Sequence, residues 1–120
     1  MRILVFGKEG LLSSELHKWL PELNPESLIF LGRKDCDITD QLAVEMAIKS
    51  YDPTIVINAA AYTEVDNCEE CIDLANQVNG YSLHNIADAC NKHNATLLHF
   101  STDYVFDGQK DGAYEESDLT

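Results

Sequence analysis

No apolar run in this 120-residue chain approaches the roughly 20 residues that a bilayer-crossing helix needs. A secretory leader is not expected either. The N-terminus, MRILVFGKEG, places one basic residue ahead of a short apolar run, and Gly and charge interrupt that run too soon for an h-region. These absences predict a cytoplasmic protein. Basic residues are scarce: 8 Lys and Arg stand against 21 Asp and Glu, a formal net charge of −13. Such a field repels nucleic acid and anionic membrane and favours solubility. A phosphate-bearing ligand must then be held by local devices, namely backbone N–H groups and a few placed cations. The acid thickens toward the end, where Asp103, Asp107, Asp111, Glu115, Glu116 and Asp118 face a single Lys110. A solvated acidic loop accounts for this better than an acidic binding tail.

Gly and Pro are few, at 6 and 3, and neither repeats nor low-complexity segments occur. With 45% apolar and 24% charged residues, this is the composition of an ordinary globular domain, long enough for one hydrophobic core and too short for two. Four cysteines without a leader predict free thiols. Cys68 and Cys71 form a C-x-x-C, but zinc would want a second Cys or Cys/His pair at useful spacing. A redox pair would want a lowered thiol pKa, which Glu69 and Glu70 between the sulfurs oppose. Incidental cysteines and no metal site are expected.

What is present alternates between two periodicities. Ile3–Phe6 reads as a buried parallel strand, broken at Gly7-Lys-Glu-Gly10. Leu12, Leu16, Trp19, Leu20 and Leu23 then recur at helical spacing until Pro21 and Pro25 stop the helix. Ser27–Leu31 is a second strand ending at Gly32-Arg33-Lys34. Asp37-Ile-Thr-Asp40 offers capping side chains to a helix whose apolar face is Val44, Ala47, Ile48 and Tyr51. Thr54–Asn58 is a third, β-branched strand. A long helix is predicted from about Asp73 to Asn94, with Leu83, Ile86, Ala87 and Cys90 on one face, and Thr96–Ser101 is a fourth strand. The order βαβαβαβ predicts an α/β fold: a doubly wound parallel sheet with right-handed crossovers, Rossmann-type, of which residues 1–120 supply the first half.

In such sheets ligands bind beyond the carboxyl ends of the strands, where the unusual residues of this chain gather. Gly7-x-x-Gly10-x-x-Ser13 follows the first strand. Gly7 suits the tight turn and Gly10 the point where backbone meets a pyrophosphate, with the helix N-terminus favouring the anion. Ser13 stands where a third Gly would allow close helix–strand packing. A mere tight turn would also explain the glycines on their own. Arg33 and Lys34, after the second strand, favour a 2′-phosphate and hence NADPH over NADH, although two surface cations after a strand are common. Asp37 and Ile38 are placed to edge the adenine. Asn58-Ala-Ala-Ala61 would let a flat ligand lie close to backbone, and Ser101-Thr102-Asp103-Tyr104 brings hydroxyls to the same rim.

FGKEG, DITD, VINAAAYTEVD and STDYVFDG followed by a Y-x-E stretch resemble the dTDP-4-dehydrorhamnose reductase family of extended short-chain dehydrogenases, from Met1 to Thr120. The resemblance implies NAD(P)H-dependent reduction of dTDP-4-dehydro-6-deoxy-L-mannose to dTDP-L-rhamnose, a surface-polysaccharide precursor. It implies that Gly10, Leu11 and Leu12 line the pyrophosphate, that Asp37 and Ile38 contact adenine, and that Ala61, Tyr62 and Thr63 flank the cofactor. It makes Thr102 the catalytic-rim hydroxyl that adjusts the acid's pKa, and lets Thr102 and Asp103 touch the sugar nucleotide. The family's Tyr-x-x-x-Lys and its C-terminal substrate lobe lie beyond residue 120. Tyr81, Tyr104 and Tyr114 do not replace that Tyr, since none has Lys four residues later. The expected partners are a nucleotide-sugar substrate and, in a full-length form, a second copy in a homodimer, with neither nucleic acid nor membrane. Two alternatives stay open: a non-catalytic nucleotide-binding relative, like the regulatory subunit of methionine adenosyltransferase, and a reductase of another nucleotide sugar.

Overall fold

Strand β1 (Arg2–Phe6) is the centre of the molecule, and its sequence explains why. Ile3, Leu4, Val5 and Phe6 are all buried, because β1 has a parallel neighbour on each edge and helices over each face. In the computed structural model, which describes residues 1–63 and 71–120, β1 pairs with β2 (Ser27–Leu31) on one side and β3 (Ile55–Asn58) on the other. Strand β4 (Thr96–His99) extends the sheet beyond β3. All pairings are parallel and the order is β2-β1-β3-β4. The doubly wound α/β expectation is met.

Alternate residues feed two cores. Ile3, Val5 and Ile57 pack with Leu16 and Leu20 on the face covered by helix α1 (Leu11–Trp19). Leu4, Phe6, Leu31 and Val56 pack with Val44, Ile48, Ile86 and Cys90 on the face covered by α2 (Gln41–Tyr51) and α4 (Ser82–Lys92). Complete burial of side chains such as Phe6, Leu4, Ile48 and Ile86 stabilises the fold by about 1.5–3 kcal/mol each. No helix of the described residues is long and apolar enough to cross a membrane.

Several helical expectations shift in detail. The first helix stops at Trp19 and tightens into a 3-10 turn over Leu20–Leu23 carrying Pro21. Trp19, the last residue of α1, lies off the side of Ser13, Leu16 and Leu20 that packs on the sheet, and Leu23 leaves that side with the tighter pitch; both are exposed. The long helix expected from Asp73 to Asn94 is three pieces. Helix α3 (Ile72–Asn76) passes into a π-helical turn at Gln77–Tyr81 and then into α4. The Ser82 hydroxyl donates to the Val78 carbonyl at 2.6 Å within that turn. With the extra residue the buried face becomes Ser82, Ile86, Ala89 and Cys90; Ala87, expected inside, is exposed. The fourth strand ends at His99, two residues short of the expectation.

Candidate functional site

The chain reverses direction across the sheet between β1 and β3, so a crevice opens beyond their carboxyl ends. A cleft of about 330 Å³ lies there, bounded by Gly7 and Gly10 from the first loop, Arg33 and Asp37 after β2, and Ala59 and Tyr62 after β3. Each wall has a local cause. The Gly7 and Lys8 N–H groups donate to the Leu31 carbonyl at 3.0 and 3.2 Å, and the Ala59 N–H donates to Phe6 O at 3.0 Å. The three loops are therefore bound to one another at the point where the strands end. Gly7 has φ +95°, and a Cβ there would stand 2.6 Å from the backbone C of Ala59 and N of Ala60. Only glycine fits that turn.

Helix α1 begins at this cleft with no side chain over its first N–H groups, its N-cap being Gly10. The contrast with α2 is instructive. There the Asp40 carboxylate accepts from Leu42 N at 2.9 Å and Ala43 N at 3.1 Å, satisfying the orphan donors. In α1 the donors stay available, with the positive end of the helix dipole behind them.

The far wall is built from polar clamps. Asp37 Oδ1 accepts from Thr39 N at 3.0 Å and Thr39 Oγ1 at 2.8 Å. These bonds, followed by the nearby Arg33 guanidinium, hold the Asp37 carboxyl below the usual carboxylate range. Arg33 Nε stands 3.6 Å from Asp37 Oδ2. Asn85 of α4 donates to the carbonyls of Ile38 and Thr39. In the π turn, Asn79 Oδ1 accepts from Tyr62 N at 2.8 Å while its Nδ2 donates to Tyr62 O at 2.9 Å, a two-point hold on the loop after β3. Asn58, at the carboxyl end of β3, is buried. Its Oδ1 accepts from Ala60 N at 3.1 Å, so its Nδ2 faces His99 Nδ1, 3.2 Å away. That Nδ1 must be the acceptor, which puts a neutral ring's proton on Nε2.

The residues singled out from sequence divide as follows. Gly7, Gly10, Arg33, Asp37, Ile38, Ala61 and Tyr62 come together around the cleft, although they span more than fifty positions of chain. Leu11 and Leu12 sit at the start of α1, Leu11 projecting to solvent, and neither is on the cleft wall. Thr63 is exposed and off the cleft wall. Thr102 and Asp103 lie after β4, outside the cleft. Thr102 Oγ1 caps the 3-10 turn Asp103–Val105 by accepting from Tyr104 N at 3.2 Å. Lys34, offered with Arg33 as a phosphate ligand, is not on the wall. Sequence reasoning missed Glu9, Cys36 and Val78, which also line the cleft, and the Asn79 and Asn85 clamps. Ser13 is fully buried, and its hydroxyl lacks a hydrogen-bond partner among the described residues. Cys36, Cys71 and Cys90 are free thiols. Cys68, and with it the C-x-x-C, lies outside the described residues. Burial pushes the Cys90 thiol up to about 11, the inert state of a packed cysteine.

The family model described as RmlD substrate binding domain matches residues 1–120. The dTDP-4-dehydrorhamnose reductase of Aggregatibacter actinomycetemcomitans is 41% identical over 118 residues, which is 98% of this chain and 40% of that protein. Among solved structures, a dTDP-4-dehydrorhamnose reductase from Clostridium acetobutylicum matches with a TM-score of 0.92 at 41% identity, covering 98% of this chain and 42% of that one. The enzyme from Bacillus anthracis, solved in complex with NADP, matches with a TM-score of 0.91 at 33% identity over the same shares. The chain thus spans about 40% of the length of the curated relatives it matches.

Proposed function

Since the chain belongs to the RmlD substrate binding domain family, we propose that it is the dinucleotide-binding part of an NAD(P)H-dependent dTDP-4-dehydrorhamnose reductase. The whole enzyme reduces the 4-keto group of dTDP-4-dehydro-6-deoxy-L-mannose and yields dTDP-L-rhamnose for surface polysaccharide. One observation carries the assignment: the uncapped start of α1 opens onto the β1/β3 crevice beside two positions, Gly7 and Gly10, that carry no side chain. A pyrophosphate fits such a place, because backbone N–H groups and the helix dipole supply the positive character that a chain of net charge −13 otherwise lacks.

In this scheme Gly10 and the N–H groups of Leu11 and Leu12 hold the pyrophosphate. Asp37 and Ile38 edge the adenine, Arg33 reaches toward its ribose, and Ala61, Tyr62 and Thr63 flank the rest of the dinucleotide. The bound reduced nicotinamide supplies the hydride. Thr102 and Asp103, at the carboxyl end of β4, address the sugar nucleotide, and Thr102 tunes the acid that protonates the new alkoxide. Full-length chains pair as homodimers in the same proposal. Calorimetric titration of NADPH and NADH into the purified chain tests it. Binding of at least one dinucleotide, abolished by Gly10→Val, is expected. Failure of both to bind would remove the assignment.

A further inference from the structure

We infer that Glu9 sets the discrimination between NADH and NADPH, acting as the ribose-side carboxylate that β2 does not make available. This role rests on the dinucleotide reading above. In folds of this type a carboxylate at the end of the second strand accepts from the ribose 2′-hydroxyl, and Arg there accommodates a 2′-phosphate. Here the end of β2 supplies Arg33, while the two carboxylates that follow are engaged locally. Asp35 Oδ2 accepts from Gly32 N at 2.9 Å, and Asp37 is taken up by Thr39 and Arg33.

Glu9 comes from the other loop and occupies the place instead. A Cβ built on Gly32 would fall 2.1 Å and 2.6 Å from its two carboxylate oxygens, so the carboxylate lies against the bare Cα of Gly32. Gly32 does not have a left-handed φ, and its backbone does not demand glycine; the missing side chain is what lets Glu9 settle there. Glu9, Gly32 and Arg33 all line the cleft. Among the described residues no hydrogen bond or ion pair holds the Glu9 carboxylate. It is left to accept from the vicinal hydroxyls of a ribose, and it repels a phosphate esterified at the 2′ position. Arg33 on the same wall pulls the other way, although its Nε is directed at Asp37. Selectivity is then a balance between two opposed charges, not a property of Arg33 alone.

The experiment is calorimetric titration of NADH and NADPH into the wild-type chain, Glu9→Gln, Gly32→Ala and the double variant. Glu9→Gln is expected to tighten NADPH binding by about tenfold, to weaken NADH binding a few-fold, and to lose most of this contrast at high salt. Gly32→Ala, whose Cβ expels the carboxylate, should move the NADPH-to-NADH ratio the same way and add nothing to Glu9→Gln. If Glu9 only complements the α1 dipole, both dinucleotides bind but the ratio stays fixed in Glu9→Gln; that result overturns the inference. If neither dinucleotide binds the wild-type chain, the dinucleotide reading itself fails and this role goes with it.

Discussion

The two glycines of the first loop should fail in different ways when replaced. Gly7→Ala forces an L residue into φ +95° and places a Cβ 2.6 Å from backbone atoms of Ala59 and Ala60. The strained conformation costs about 1–3 kcal/mol. The overlap adds roughly 1–3 kcal/mol more, because the neighbours are backbone and cannot swing aside. A loss of about 4 kcal/mol is a large fraction of the ~5–15 kcal/mol that holds a domain folded. Gly10 is different. Its backbone is extended, with φ −75° and ψ 159°, and a Cβ would meet only Gly7 O at 3.4 Å and Ala59 O at 3.8 Å. Gly10→Ala loses somewhat as an N-cap and gains from a less flexible unfolded chain, for a net change under about 1 kcal/mol. Urea denaturation followed by circular dichroism reads both. With a slope of ~1–3 kcal/mol/M, Gly7→Ala should lower the midpoint by about 2 M while Gly10→Ala barely moves it. Equal losses in the two variants would refute the division between a glycine required by the fold and one required by a ligand.

Other consequences are as direct. Ser13→Ala removes a buried hydroxyl that has no hydrogen-bond partner among the described residues and should leave stability unchanged or raise it by up to ~1 kcal/mol; a loss beyond ~1 kcal/mol in a thermal melt would mean the hydroxyl is satisfied. Alkylation with iodoacetamide, mapped by mass spectrometry, should label exposed Cys71 in the native chain and reach buried Cys36 and Cys90 only on unfolding. Because the folded Cys90 thiol titrates near 11, above its unfolded value of about 8.5, the folded state holds the proton longer. Stability from this group is therefore full below pH 8.5 and falls as pH rises toward 11; a Cys90→Ala chain should lack that part of the alkaline decline. A polypeptide of these 120 residues should bind cofactor yet not oxidise NADPH with dTDP-4-dehydro-6-deoxy-L-mannose. None of its tyrosines has Lys four residues on, and loss of general-acid catalysis costs on the order of 10²–10⁴ in rate. Turnover close to that of a version extended through a Tyr-x-x-x-Lys would show the acid lies within residues 1–120.

The parts of the fold that depend on a single segment were legible in the sequence. Ile3–Phe6 announces a buried strand and Ser27–Leu31 a strand by composition, and Asp40 announces a helix start through side-chain chemistry alone. Interruptions were not legible. The π turn at Gln77–Tyr81 leaves the apolar spacing nearly intact over one turn, and only afterwards shifts the buried face from Ala87 to Ala89. Leu23 fits helical spacing but loses its burial to the tighter 3-10 turn, and Trp19 stands on the solvent side of α1. At the site, the glycines and the Asp37–Ile38 pair could be placed by their position after strands. The carboxylate of Glu9 against Gly32 and the Asn79 hold on Tyr62 could not, because each joins residues some twenty positions apart through tertiary geometry with no periodic trace.

The central claim is that the β1/β3 crevice holds a dinucleotide, and amide chemical shifts of the ¹⁵N-labelled chain titrated with NADPH or NADH test it residue by residue. The largest shifts should fall at Gly10, Leu11 and Leu12, at Gly32 and Asp37, and at Ala60 and Ala61, all around one cleft. The groove between α2 and α4 near Glu45 and Lys92 should stay silent. Shifts concentrated in that groove, or spread without reference to the carboxyl ends of β1 and β3, would contradict the account.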